Sequence, residues 1–155
     1  MSADDDVRTR LASAWPLFGL TLRTERLVLR LPTDEDLLDL MDVVHDGIHP
    51  PDEMPFASTW STLPSPGFER GYLSYHWTNR SAWTPDSWEL GVAVSLDERP
   101  IGMQGMHARG FATSRVVHTG SWLGRAFQGQ GLGKEMRLAI LALATLATIL
   151  VWQYG

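Results

Sequence analysis

The stretch that decides the fold is GRAFQGQGLGKEM, residues 124–136. Glycines stand at 129, 131 and 133, just ahead of a run with helical spacing. Fixing a glycine costs more backbone entropy than fixing any other residue. Three at alternate positions imply a main chain that something approaches closely. A strand that runs into such a turn and then a helix forms an anion cradle. Successive N–H groups converge on one spot, and the helix N-terminus adds roughly half a positive charge.

Spacing separates the possible cradles. A Walker A loop needs G-x-x-x-x-G-K-[ST], but position 128 is Gln and position 135 is Glu. A carboxylate there meets phosphate where a magnesium-binding hydroxyl is required. The dinucleotide pattern G-x-G-x-x-G fails as well, because Gly129, Gly131 and Gly133 are evenly spaced. The pattern that fits is Q/R-x-x-G-x-G/A, at Gln128, Gly131 and Gly133.

Outward from the loop, RVVHTGSWL (115–123) reads as a strand, and a helix starts near Leu132 with Met136, Ile140 and Leu143 on one face. WELGVAVSL (88–96) and IGMQGMHA (101–108) form a hairpin around the turn DERP. TLRTERLVLRLP (21–32) alternates as one strand. In the helix that follows, Thr33 and Asp36 form a capping box, Leu37, Met41 and Val44 repeat at helical spacing, and Gly47 is the stop. Residues 48–67 are a Pro-rich aromatic loop with room for a short helical turn, and 68–83 a second helix. The order predicts an α+β fold, a mainly antiparallel sheet flanked by helices.

The chain has 155 residues, enough for one domain with a real core. Its formal net charge is −5, which argues against general nucleic-acid or anionic-membrane binding. It contains no cysteine, which excludes disulfides, thiolate nucleophiles and Cys-zinc sites and reads as cytoplasmic. MSADDDVRTR is no signal peptide, and residues 1–20 are expected as a flexible segment ahead of a single domain at 21–155. LAILALATLATILVW (138–152) is uncharged but short for a membrane span, and a buried helix running into a buried strand is expected. His45 and His49 flank Asp46, yet Gly47 and Pro50 oppose the continuous helix that would bring the rings together. No metal site is expected.

On the glycine loop, the chain resembles the GNAT superfamily of N-acetyltransferases. TERLVLRLPTDEDLLDLM, RPIGMQGMHA and TGSWLGRAFQGQGLGKEM are similar to successive elements of its ribosomal-protein N-terminal acetyltransferase branch, over roughly residues 20–145. The resemblance implies acetyl-CoA as co-substrate and a primary amine as acceptor, either a protein N-terminus or a small molecule. Backbone of Gln128, Gly129, Gln130, Gly131, Leu132, Gly133 and Lys134 would take the pyrophosphate, with charge from Arg125 or Lys134. Trp122, Leu123 and Gly124 would pair with the pantetheine arm, and the Leu123 amide would polarise the thioester carbonyl. His118 is the implied base and Glu89 the other candidate. Asp52, Glu53, Phe56 and Trp60 would bind the acceptor amine through charge and aromatic walls.

The family pattern continues beyond the loop helix with two strands and a helix, so the fold is expected to be C-terminally incomplete, with TILVWQYG as a fifth strand. Ile149, Leu150, Val151 and Trp152 would then need cover, which predicts a homodimer through residues 138–155. A second reading is a non-catalytic homologue that binds CoA or a protein partner.

Overall fold

The computed structural model describes the backbone of residues 3–154 and the side-chain surroundings of residues 5–146. Five strands form one antiparallel sheet in the order β1-β2-β3-β4-β5. These are β1 (Thr21–Arg23), β2 (Leu27–Arg30), β3 (Trp88–Leu96), β4 (Arg99–Ala108) and β5 (His118–Leu123). The helices are α1 (Ala3–Ala14), α2 (Asp34–His45), α3 (Gly67–Ser81), α4 (Phe111–Ser114) and α5 (Leu132–Tyr154).

Two apolar clusters sandwich the sheet. Leu29, Val92, Val94 and Ile101 pack with Leu132, Met136 and Ile140 of α5. On the other face Ala93 and Met103 pack with Leu37, Leu40, Met41 and Val44 of α2 and with Phe68 and Tyr72 of α3. The capping box at α2 is present: the Asp36 amide donates to Thr33 Oγ1 at 3.1 Å, and the Thr33 amide donates to Asp36 Oδ2 at 2.8 Å. The β3–β4 turn sits at Asp97 and Glu98, both at positive φ, as a two-residue hairpin of matching twist requires.

Three expectations are corrected. Residues 21–32 are a hairpin of two strands. The chain reverses at Thr24–Arg26, where the Thr24 amide donates to Leu27 O at 3.0 Å and the Leu27 amide donates to Thr24 Oγ1 at 3.1 Å. The N-terminal segment is helical from Ala3. Asp5 and Asp6 stand in its first turn, where the helix dipole favours them. Buried Arg8 donates to Leu31 O at 2.8 Å and pairs with Asp36 at 3.2 Å, which docks α1 on the domain. The TILVWQYG segment continues α5 to Tyr154 instead of forming a strand. From Lys134 to Tyr154 there is no Gly or Pro to stop a helix, and Ala and Leu favour it. The side chains of Ile149, Leu150, Val151 and Trp152, on which the dimer expectation rests, lie outside the described residues.

Candidate active site

β5 is the last strand of the sheet, so one side of it pairs with β4 and no strand pairs with the other among the described residues. Antiparallel bonding alternates along a strand. The Gly124 amide donates to Ile101 O of β4 at 2.9 Å. By alternation Trp122 and Gly120 also face β4, and the amides of Leu123, Ser121 and Thr119 point away from it. Three outward donors therefore stand about 7 Å apart along the free edge. β4 and β5 approach closely because position 102 is glycine: a Cβ there would lie 2.4 Å from Trp122 O.

The edge leads into the glycine loop. The Gln128 amide group is a clamp, with Nε2 donating to Leu123 O at 2.8 Å and to Ile48 O at 2.9 Å. The Arg125 amide donates to Gly47 O at 3.0 Å, tying the loop to the end of α2. Gly129 and Gly131 have φ of 73° and 82°, in the left-handed region that glycine adopts without strain. Gly133 lies in the first turn of α5 at an ordinary helical φ. A Cβ at Gly129 or Gly133 would meet nothing within 4 Å, so the loop faces open space. Open backbone at a helix N-terminus, with Lys134 exposed beside it, fits a pyrophosphate.

Glu135 does not intrude on this cradle. Its carboxylate turns back to accept from the Thr24 hydroxyl and from the Arg26 amide at 2.9 Å, and it pairs with the Arg26 guanidinium at 2.8 Å. The Thr24 hydroxyl, then the Arg26 amide and guanidinium, hold its carboxyl below the usual range against the opposing effect of desolvation. A depressed folded-state pKa stabilises the fold above the unfolded value, and that gain is lost as pH falls through the folded value. Glu135→Gln is therefore expected to lower the Tm near neutral pH, with the gap to the parent closing below about pH 4. A gap of constant size across a pH series of thermal melts would contradict this.

Beside the edge lies a cavity of about 540 Å³, lined in part by four consecutive β5 residues, Thr119–Trp122. Its floor follows from register. Ala93, Met103 and Trp122 are paired neighbours facing α3. Two residues along each strand, Gly91 pairs with Gly105 and Gly105 with Gly120. Two further along, Glu89 pairs with His107 and His107 with His118. Side chains alternate faces, so all three rows share the α3 side. The middle row carries no side chains; the Met103 methyl reaches over Gly91, 3.1 Å from where a Cβ would lie, and the space above Gly105 and Gly120 is bare backbone.

Aromatic rings wall this floor. Trp60 lies 5.2 Å from Phe56, 6.1 Å from Tyr72 and 6.1 Å from Trp122, centroid to centroid. Burial, and secondarily the Arg80 charge, pull His76 down to about 4, so its imidazole is neutral at pH 7. Burial pushes the Tyr72 phenol up. The Tyr72 hydroxyl is buried and has no hydrogen-bond partner. Arg80 is held by Asp34 at 2.7 Å and by Pro32 O at 2.7 Å. Glu89 is the one carboxylate on the cavity wall among the described residues; it accepts from the Tyr75 hydroxyl and lies 3.8 Å from Arg109.

The family model for the acetyltransferase (GNAT) domain matches residues 26–152. The chain belongs to the GNAT acetyltransferase family. Solved structures share the fold of this GNAT domain at low identity. A protein assigned as a ribosomal-protein-serine acetyltransferase from Vibrio cholerae matches at 20% identity and a TM-score of 0.60, over 81% of this chain and 66% of that one. RimL, a ribosomal alpha-N-protein acetyltransferase in complex with coenzyme A, matches at 12% identity and a TM-score of 0.56, over 79% of this chain and 66% of that one. The chain thus spans about two thirds of the length of these structures.

Within the GNAT domain, the expected residues divide. Glu89 lines the cavity and His118 stands in the same cross-strand row, its ring stacked on His107 at 5.1 Å. Phe56 and Trp60 line the cavity too. Asp52 and Glu53 do not: both are exposed, away from the cavity lining, on a turn where the Glu53 amide donates to Pro50 O at 3.1 Å. His45 and His49 have separate partners. His45 faces Glu69 at 3.4 Å, and His49 lies 2.8 Å from Pro50 O and 2.9 Å from Ser61 Oγ. Sequence reasoning missed Tyr72, Tyr75, His76, His107 and the glycine row. The signal for the row was present in the spacing, since Gly91, Gly105 and Gly120 each lie two residues from Glu89, His107 or His118.

No helix among the described residues is long and apolar enough to cross a membrane, and none of their His, Asp and Glu side chains cluster as a metal site.

Proposed function

We propose that the protein transfers an acetyl group from acetyl-CoA to a primary amine by direct attack. The observation that carries this reading is the free edge of β5, which leads through one 3-10 turn at Arg125–Phe127 into the glycine loop and the N-terminus of α5. Amides from Gln128 to Lys134 would take the pyrophosphate, with charge from Lys134 or Arg125. The outward amides of Leu123 and Ser121 would pair with the pantetheine arm as an added strand does. Bound there, acetyl-CoA supplies an activated thioester.

The attacked carbonyl must lie where the acceptor cavity meets the edge. Gly120 is the floor residue on β5, flanked by the outward amides of Thr119 and Ser121, and Ser121 is the one on the cradle side, one donor further up the strand than Leu123. An N–H aimed at the developing oxyanion stabilises it without reorganisation. Proton removal from the amine falls to the Glu89–His107–His118 row, directly or through water. His118→Ala is expected to lower kcat near neutral pH, the loss shrinking at high pH as free amine accumulates. Acetyl-CoA-dependent thiol release with a panel of primary amines tests the reaction. No release with any amine would reject transfer, and an unchanged pH–rate profile in His118→Ala would remove that residue from the mechanism.

A further inference from the structure

The cavity floor has a shape that selects its occupant. Gly91, Gly105 and Gly120 stand side by side on β3, β4 and β5; the Met103 methyl overhangs Gly91, and Gly105 and Gly120 leave a bare strip of backbone across the last two strands. Adjacent strands lie about 4.8 Å apart, so the bare stretch from Gly105 to Gly120 is about 5 Å between backbones, and the next rows along each strand stand about 7 Å to either side. Met103 and Trp122 bound it on one side, and Glu89 and His107 on the other. Above it, Trp60, Tyr72 and Tyr75 contribute aromatic surface. A floor of peptide planes under aromatic walls accepts a flat apolar group and offers little to a polar one.

Charge narrows the choice. Arg80 is paired with Asp34 at 2.7 Å, Glu89 faces Arg109 at 3.8 Å, and His76 is uncharged, which leaves the aromatic faces to set the potential inside. Those faces favour a cation. Tyr72 is only 6% exposed, and its hydroxyl has no partner in the described structure. Such a group is costly to leave unpaired unless a ligand or ordered water meets it. The volume of about 540 Å³ belongs with small-molecule sites, which run from roughly 300 to 1,000 Å³. A peptide N-terminus presents repeated amides, and these walls give them few partners.

Resting on the transferase reading above, we propose that the acceptor is a small arylalkylamine whose ring lies on the Gly105–Gly120 strip beside the Met103 methyl, with its amine directed to the β5 edge at Ser121. The strip is then a specificity element. Any side chain in the row occupies the space of the ring.

Gly120 is the position to test, because a Cβ there meets nothing within 4 Å and the fold accepts one. Binding of phenylethylamine, without acetyl-CoA, is read by tryptophan fluorescence and calorimetry for the parent, Gly120→Ala and Gly120→Leu proteins. Binding of coenzyme A is read on the same samples. Misfit of this size in a pocket is worth roughly 10–200-fold, so Gly120→Leu is expected to lose phenylethylamine by about that factor, with Gly120→Ala between. Coenzyme A affinity should hold in both, which reports that the variants are folded. The parent should also bind and acetylate phenylethylamine in preference to a polar serine-initiated tripeptide. Equal or better use of the tripeptide, or phenylethylamine binding untouched by Gly120→Leu, would overturn the proposal. If phenylethylamine binds and Gly120→Leu abolishes binding, yet no amine is acetylated, the strip stands and the transferase reading falls.

Discussion

Gly131→Val is expected to abolish coenzyme A binding at concentrations that saturate the parent protein. Gly131 sits at a φ of 82°, and an L-residue pays about 1–2 kcal/mol for the left-handed region, more when β-branched. The cradle conformer is thereby depopulated before any ligand arrives. The new side chain also crowds the Arg26 guanidinium, whose Nη2 lies 3.4 Å from the Cβ position. Hydrogen bonds to charged groups are worth about 1.5–3 kcal/mol each, so losing one or two amide contacts to phosphate compounds the strain. The two effects together amount to about two orders of magnitude or more in Kd. Gly133→Ala is the informative contrast. Its φ is helical and its Cβ direction is open, so binding should survive and α5 should gain slightly from the better helix former. Calorimetric titration of both variants decides. Equal binding by Gly131→Val would mean that the loop is not the cofactor cradle.

That contrast explains the three glycines at alternate positions. Two are required by φ, and the third belongs to a helix that also accepts alanine. The sequence pattern Q/R-x-x-G-x-G/A already tolerates Ala at the third position, and the geometry supplies the reason.

Local signals were legible wherever local physics set the structure. Thr33 and Asp36 satisfied each other's amides within one turn, and the Asp97–Glu98 reversal followed from two flanking strands of alternating residues. Elements that depend on distant partners were not legible. The break at Thr24–Arg26 is held partly by Glu135, more than a hundred residues away in the chain. The α1 helix docks through Arg8 on the carbonyl of Leu31. The glycine row was hidden for the same reason. Each of Gly91, Gly105 and Gly120 is unremarkable alone, and only strand register puts them side by side. Asp52 and Glu53 show the converse error. Charge near an aromatic loop suggested an acceptor site, but the loop turns its rings inward and its carboxylates outward.

Trp60 should be the most sensitive residue of that loop. It stands in a three-residue 3-10 turn, Trp60–Thr62, that the backbone alone holds weakly. Its ring reaches Phe56, Phe68, Tyr72 and Trp122, and so joins the loop to α3 and to the last strand. Aromatic pairs contribute about 0.5–1.5 kcal/mol each beyond area burial, and truncating a large ring in packed surroundings costs about 3–5 kcal/mol. Trp60 is only partly buried, which places Trp60→Ala near the lower end, about 3 kcal/mol. Chemical denaturation should show that loss as a lower midpoint. The same substitution removes a wall of the cavity while leaving the glycine loop intact. An acceptor amine should therefore bind more weakly, with coenzyme A affinity close to that of the parent. Trp60→Phe should recover most of the stability, because the smaller ring keeps the stacking partners. An unchanged denaturation midpoint in Trp60→Ala would show that the loop is not packed through this ring, and weakening of both ligands together would show that the cavity and the cradle do not respond independently.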